Sequence, residues 1–83
     1  MALLVVEERF SPAIDVNQVN PNADKLSPCL PTYGVTWVAS YIANDGTRCI
    51  CVYEAPDAAA VRRAYRTAGA PFEAVWPAKG MRA

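Results

Sequence analysis

The chain of 83 residues contains no histidine. Histidine is the commonest general base near neutral pH and the commonest ligand of transition metals, so either kind of site must use other residues here. The longest apolar run, Ala2 to Val6, is much shorter than the roughly 20 residues of a membrane-spanning helix, and the layout of a secretory signal is missing. These absences indicate a soluble, cytoplasmic protein that does not bind a membrane.

An excess of charge of either sign is also lacking. Eight basic and eight acidic side chains cancel, and the sequence contains no block of like charge. Binding to nucleic acid needs a basic face, so no nucleic-acid partner is expected. The three cysteines are an odd number and do not suggest a disulfide framework. A chain this short buries only about two-thirds of its unfolded surface, so we expect one domain over residues 1–83 that pairs as a homodimer.

The most regular pattern lies in the second half of the chain. Alternation with a period of two predicts strands over about 35–43 and 47–54, joined by a tight turn at Asn44-Asp45-Gly46. A helix is predicted to follow, because Asp57 is a good N-cap and Gly69 is a natural residue for the helix C-terminus. These elements together predict a hairpin followed by a helix.

The first half of the chain and its last residues supply the remaining elements. Strands are predicted over about 3–10 and 73–78. The segment 15–33 has apolar residues at helical spacing, namely Val16, Val19, Ala23, Leu26 and Leu30. Three prolines (Pro21, Pro28 and Pro31) interrupt it, and each proline inside a helix costs about 3 kcal/mol. We therefore predict a short helix from Pro21 or Asn22 to Ser27, followed by an irregular connector.

The order of the elements, βαββαβ, defines the expected fold. It is the order of the ferredoxin-like sandwich, an α+β fold in which a four-stranded antiparallel sheet carries both helices on one face. The other face of such a sheet is left open, and we expect it to form the contact between two copies of the chain.

Several segments resemble a family of small bacterial proteins that was first defined as a domain of unknown function. The family is named for a nickel-binding, nickel-responsive member. The similar segments are Gly34-Val35-x-Trp37-x-x-Ser40-Tyr41, Cys51-Val52-Tyr53-Glu54-Ala55-Pro56, Ala60-Val61-Arg62 and Ala68-Gly69-x-Pro71. The resemblance implies a ferredoxin-like fold, often dimeric through the sheet faces, and metal binding in some members. It implies no established reaction.

This chain departs from that family in two respects. The first helix of its relatives is usually longer and free of prolines. Members that bind nickel are expected to use histidines, and this chain has none. No nickel ligand can therefore be carried over residue by residue, and the identity of any cofactor stays open.

The two hairpin strands carry the candidate site residues. Residues two apart on a strand point to the same face of the sheet. We assign to the helix-covered face the aliphatic set, Val38, Ile42, Ile50 and Val52. We assign to the open face the aromatic and thiol set, Trp37, Tyr41, Cys49, Cys51 and Tyr53. An open face of this composition predicts either a dimer interface or a shallow ligand pocket between two sheets.

Three functions remain as alternatives, and we favour the first. A dimer could bind a small ligand or a metal at the open face; its candidate ligand-binding residues are Trp37, Tyr41, Cys51, Tyr53 and Glu7. An α/β-barrel-type enzyme could act on a small hydrophobic molecule between the sheets, with Glu7 as base and Tyr41 or Tyr53 as proton donor. A structural or interaction module could use the same face without any ligand.

The cysteines are the candidate metal ligands. Cys49 and Cys51 lie on one face of a strand and could share zinc or copper(I), with Cys29 or a partner subunit completing the coordination. Cysteine is also among the most often buried residues, where it packs as a small hydrophobic side chain. The isolated C-x-C spacing favours this packing role.

Overall fold

Four antiparallel strands form one sheet in the computed structural model, which describes residues 1–18 and 20–83. The sheet has the order β2-β3-β1-β4. The elements are β1 (Ala2–Arg9), α1 (Ala23–Leu26), a 3₁₀ helix (Pro31–Tyr33), β2 (Thr36–Ile42), β3 (Arg48–Ala55), α2 (Ala58–Ala68) and β4 (Ala74–Ala78). The architecture is the predicted ferredoxin-like α+β sandwich. In the part of the chain that the structure describes, no helix has the length and apolar character to cross a membrane.

The local signals of the second half act as predicted. The side chain of Asp57 accepts a hydrogen bond from the backbone N–H of Ala60 at 2.8 Å, which caps the first turn of α2. Gly69 ends the helix with φ at +69°, in the left-handed region that glycine adopts without strain. Gly46, in the turn between β2 and β3, has φ at +74° and lies so close to the backbone of Ile14 that a Cβ atom would collide with it.

The first helix is as short as the prolines predict. Asn22 and Ser27 flank the four residues of α1, and a 3₁₀ helix that begins at Pro31 follows. Val19, which belongs to the apolar pattern of this segment, lies outside the described residues. The short α1 covers much less of the sheet than the eleven residues of α2, and this difference leaves part of the β2–β3 surface uncovered.

The assignment of side chains to the two faces is wrong for β3. Cys49, Cys51 and Tyr53 are buried on the helix-covered face, whereas Ile50 on the opposite face is 42% exposed. Their partners on β1 explain the direction, because Leu4, Val6 and Glu8 pair with Tyr53, Cys51 and Cys49 and all three are buried. The prediction ranked Ile and Val above Cys and Tyr by apolar character. Thiol and phenol groups can be buried at little cost where they form hydrogen bonds with polar partners.

The assignment is also partly wrong for β2, because the strand is irregular. The pairing with β3 shifts between Trp37 and Ala39, so that Trp37 opposes Tyr53 while Ser40 opposes Cys51. Such an irregularity breaks the alternation of faces. Trp37 therefore lies on the helix-covered side, against our prediction. Tyr41, opposite Ile50, does lie on the open face, as does Val52 against the prediction, and Ile42 pairs with Cys49 on the helix side as predicted.

Candidate functional site

A cluster of buried polar side chains lies between the sheet and α2. Glu8 of β1 is only 2% exposed, and Cys49 and Cys51 of β3 are also buried. The register of the two strands creates the cluster, since Glu8 is opposite Cys49 and Cys51 is the next residue on the same face. We call Glu8, Cys49 and Cys51 the Glu8 cluster.

The three side chains present their reactive atoms to one another. The Cys49 and Cys51 sulfur atoms are 3.6 Å apart, and the Cys51 thiol donates to Oε2 of Glu8 at 3.2 Å. One potential ligand atom from each of the three residues lies within 4.8 Å of the other two. This separation is small enough for a single metal ion to contact all three.

The carboxyl group of Glu8 is held by further donors. Asn22 donates from Nδ2 to Oε1 at 2.8 Å, and the Tyr65 hydroxyl donates to Oε2 at 3.1 Å. The Tyr53 and Tyr65 hydroxyls are themselves hydrogen-bonded at 2.8 Å. Among the described residues, no buried side-chain nitrogen or oxygen atom lacks a hydrogen-bond partner. The cluster is therefore fixed in place by side chains from β1, β3, α2 and the segment before α1.

Burial and the contacts within the cluster shift the pKa values of the two thiols in opposite directions. Hydrogen bonding to Cys49, then burial, raises the pKa of the Cys51 thiol far above its usual range, and the charge of Glu8 adds to the rise. Hydrogen bonding to Cys51 lowers the pKa of Cys49, although burial and Glu8 oppose this effect. Burial likewise raises the pKa of the Tyr53 and Tyr65 phenols, so both remain donors at neutral pH. Cys49 therefore loses its proton before Cys51.

A cleft of about 380 Å³ leads from the surface to the cluster. Its walls come from α1 and the connector after it on one side and from β2 and β3 on the other. The wall residues include Asn20, Ala23, Leu26, Leu30, Trp37, Ser40 and Ile42, and Cys51, Tyr53 and Glu8 lie at the inner end. We call this space the Trp37 cleft. It exists because α1 ends at Leu26 and leaves this part of the sheet uncovered.

Trp37 connects the mouth of the cleft to the Glu8 cluster. The side chain is 58% exposed, yet its Nε1–H donates to Oγ of Ser40 at 2.9 Å. The Ser40 hydroxyl in turn donates to the Cys51 sulfur at 3.1 Å. A continuous hydrogen-bonded path therefore runs from an exposed indole to the buried thiols.

The predicted ligand-binding residues divide between the two faces of the sheet. Trp37, Cys51 and Tyr53 meet in the Trp37 cleft, whereas Tyr41 and Glu7 are exposed on the open face. The Trp76 indole donates to Oε2 of Glu7 at 2.8 Å. Glu7 and Tyr41 also line a second cleft of about 340 Å³, so the proposed base faces Tyr41 but not Tyr53.

The third cysteine lies apart from the other two. Cys29 is half-buried in the connector after α1, and its sulfur contacts the Lys25 carbonyl oxygen at 3.5 Å. The described residues that converge as potential metal ligands are those of the Glu8 cluster. Within one chain, the third donor beside Cys49 and Cys51 is therefore a carboxyl group.

Glu8, Asn22 and Tyr65 belong to the candidate site but were not among the residues predicted for it from the sequence. Glu7 and Glu8 point to opposite faces, and Glu7 was the residue predicted to belong to the site. The neighbouring residues contained a usable signal, because Glu8 shares its face with Phe10 whereas Glu7 shares its face with the charged Arg9. Asn22 and Tyr65 carried no comparable signal, since their contacts with Glu8 span 14 and 57 residues of sequence.

Comparisons with known proteins agree with this fold. The crystal structure of SCO4226 from Streptomyces coelicolor A3(2) superposes with a TM-score of 0.82 and 17% sequence identity, covering 98% of this chain and all of that one. No curated protein shows a significant sequence match. The family described as nickel responsive protein SCO4226-like matches residues 4–77. Since that match spans nearly the whole sequence, the chain belongs to the nickel-responsive SCO4226-like family.

Proposed function

We propose that the protein binds a thiophilic metal ion, such as zinc or copper(I), at the Glu8 cluster. The observation that carries the proposal is the convergence of two thiols and one carboxyl group at a buried point. Thiolates favour zinc and copper(I), and a carboxylate is a common additional ligand of zinc. Three protein ligands leave a further coordination position to water or to another donor.

The spacing of the sulfur atoms supports zinc in particular. Two thiolate ligands of a tetrahedral zinc ion, each bonded at about 2.3 Å, lie ~3.8 Å apart. The Cys49 and Cys51 sulfurs are 3.6 Å apart before any metal enters. The ion would replace the hydrogen bonds among the three side chains with bonds to itself, and little movement of the strands would be needed.

Nickel fits this donor set less well. Imidazole is a ligand that suits nickel, and the chain has no histidine. The family description names a nickel response, but two thiols and a carboxyl group match the preferences of zinc and copper(I) more closely. We therefore propose that this member of the family has a different metal preference.

The metal affinity is expected to rise with pH. Binding requires thiolates, and the raised pKa of Cys51 means that the metal must displace its proton. For each thiol proton that is released on binding, the metal affinity increases about tenfold per pH unit at pH values below the pKa of that thiol. Native mass spectrometry of untagged protein with added zinc between pH 6 and pH 8.5 measures both stoichiometry and affinity. One zinc per chain with affinity that increases with pH supports the proposal, and no uptake at any pH contradicts it.

The proposal extends to a homodimer formed through the open face of the sheet. Tyr41, Ile50 and Trp76 are all large, apolar and exposed on this face, and an apolar patch of this kind is typical of an interface. Ile50→Lys is expected to weaken self-association at least tenfold in sedimentation equilibrium, because the contact would lose the apolar side chain of Ile50 and a charged ammonium group would have to leave water. Val16→Lys, an equivalent change at an exposed loop position, is the control. Equal behaviour of the two variants would contradict a dimer through this face.

A further inference from the structure

We propose that the Trp37 cleft binds a small, flat, uncharged apolar molecule that carries one hydrogen-bonding group. This binding function is separate from the metal site, although the inner end of the cleft reaches Cys51 and Glu8. The proposal rests on the size of the cleft, its largely apolar walls, the fixed position of the Trp37 indole and the unused hydrogen-bonding capacity of Asn20 and Ser40.

The size of the cleft suits a small molecule. Its volume of about 380 Å³ lies within the range of roughly 300–1,000 Å³ that is common for ligand pockets. It corresponds to ~13 water-sized groups, each with about 30 Å³ of liquid volume. A molecule with one or two fused rings would fill this space, whereas a peptide helix or strand would exceed it.

The walls select for apolar rings. Leu26 and Leu30 from the helical segment face Ile42 and Trp37 of β2, so a ring that enters exchanges water for aliphatic and aromatic contacts. The exposed Trp37 indole is held by its bond to Ser40, and an aromatic face that is already oriented loses little conformational entropy when a second ring stacks on it.

Two polar side chains in the walls of the cleft retain unused hydrogen-bonding capacity. Asn20 accepts from the backbone N–H of Asn22 at 2.8 Å, while its amide nitrogen makes only a long contact of 3.9 Å with the Cys49 sulfur. The amide nitrogen carries two hydrogens, so at least one can serve a ligand. The Ser40 oxygen accepts from Trp37 and has a second lone pair. A single hydroxyl or carbonyl group on the ligand could use these positions.

The electrostatics of the cleft disfavour a charged ligand. An anion would approach the carboxyl group of Glu8, which lies at the inner end. A cation would leave water for leucine and isoleucine side chains, and the Glu8 oxygens already accept hydrogen bonds from Asn22, Cys51 and Tyr65. A neutral molecule avoids both costs.

Titration of the metal-free protein with 2-naphthol, followed by ¹H–¹⁵N NMR, tests the proposal. We expect saturable shifts at the Trp37 indole N–H and at the backbone amides of Leu30 and Ser40. Trp37→Ala is expected to weaken binding at least tenfold, and Trp76→Ala, which removes the exposed indole of the opposite face, is the matched control. Naphthalene-2-carboxylate, a flat anion of similar size, is expected to bind at least tenfold more weakly than 2-naphthol.

A second variant keeps the test decisive if Trp37→Ala fails to fold. Ala23→Phe adds a ring from α1 into the cleft, where Ala23 forms part of the wall, and is also expected to prevent binding. The proposal is overturned by the absence of saturable shifts, by shifts centred on Trp76, or by equal binding of the anion. Shifts at Trp37 that depend on protein concentration alone would also overturn it, because a second copy of the chain would then be the occupant of the cleft. Because no metal is present, failure here leaves the metal proposal intact.

Discussion

Cys51→Ser is expected to abolish zinc binding at the Glu8 cluster. The Cys51 sulfur is the central atom of the cluster, 3.6 Å from the Cys49 sulfur and 3.2 Å from Oε2 of Glu8. A serine hydroxyl does not ionise at neutral pH and is a much poorer zinc ligand than a thiolate. We expect at least a hundredfold loss of affinity in a competition titration with a chelator, and a comparable loss for Cys49→Ser.

Cys29→Ser is the matched control for this prediction. It is the same chemical change in the same chain, but Cys29 lies in the connector, where its sulfur contacts the Lys25 carbonyl oxygen. The Cys29 variant should bind zinc with unchanged affinity. If all three variants bind zinc as the parent protein does, the Glu8 cluster is not the metal site. If only the Cys29 variant loses zinc, the ligands lie in the connector.

Folding must be measured in the same samples, because Cys49 and Cys51 are buried. A serine hydroxyl at position 51 could still donate to Glu8 and accept from Ser40, so the polar network keeps most of its hydrogen bonds. The far-ultraviolet circular dichroism spectrum should therefore remain that of the parent protein. Loss of zinc with a retained spectrum separates a missing ligand from a missing fold.

Local sequence signals predicted the elements of this fold well. The turn at Asn44-Asp45-Gly46, the cap at Asp57 and the end of α2 at Gly69 each depend on residues that are neighbours in sequence. The shortness of α1 was predictable for the same reason, since proline acts on its own turn of helix. Element order then defined the sheet.

The faces of the strands could not be obtained in this way. The pairing of β2 with β3 is irregular between Trp37 and Ala39. Residues after this point lie on the sheet face opposite to the one that strict alternation from Trp37 predicts. The period-2 pattern of the sequence does not reveal the irregularity. Trp37 donates to Ser40, three residues away, only because the strand is irregular there. A prediction based on strict alternation therefore placed Trp37 on the open face.

The burial of β3 was unpredictable for a different reason. Cys49, Cys51 and Tyr53 are less apolar than Ile50 and Val52, so the sequence alone favours burying the latter. The observed orientation is stabilised by polar partners, in particular Tyr65 for Tyr53, and these partners come from distant parts of the chain. Polar side chains can be buried in the core when their hydrogen-bonding groups have partners there.

Glu8→Ala is expected to cause a large loss of stability, about 3–5 kcal/mol in the free energy of unfolding. The Glu8 carboxyl group accepts hydrogen bonds from Asn22, Cys51 and Tyr65. Removing it leaves these buried donors without an acceptor, and an unsatisfied buried polar group costs about 1–3 kcal/mol. Chemical denaturation of metal-free protein measures the effect without any contribution from a bound ion.

Glu7→Ala is the matched control, because it is the same substitution at the neighbouring position, on the opposite face of the sheet. Glu7 is exposed and accepts from the Trp76 indole at 2.8 Å, so water can replace the lost acceptor and we expect a change within about 0.5 kcal/mol. Glu8→Gln keeps the shape and one acceptor oxygen, and should lose about 1–2 kcal/mol. A free energy of unfolding that increases from Ala to Gln to Glu at position 8 would show that the acceptor oxygens stabilise the fold. Equal losses for Glu7→Ala and Glu8→Ala would contradict the burial of Glu8 and, with it, a metal site that depends on this carboxyl group.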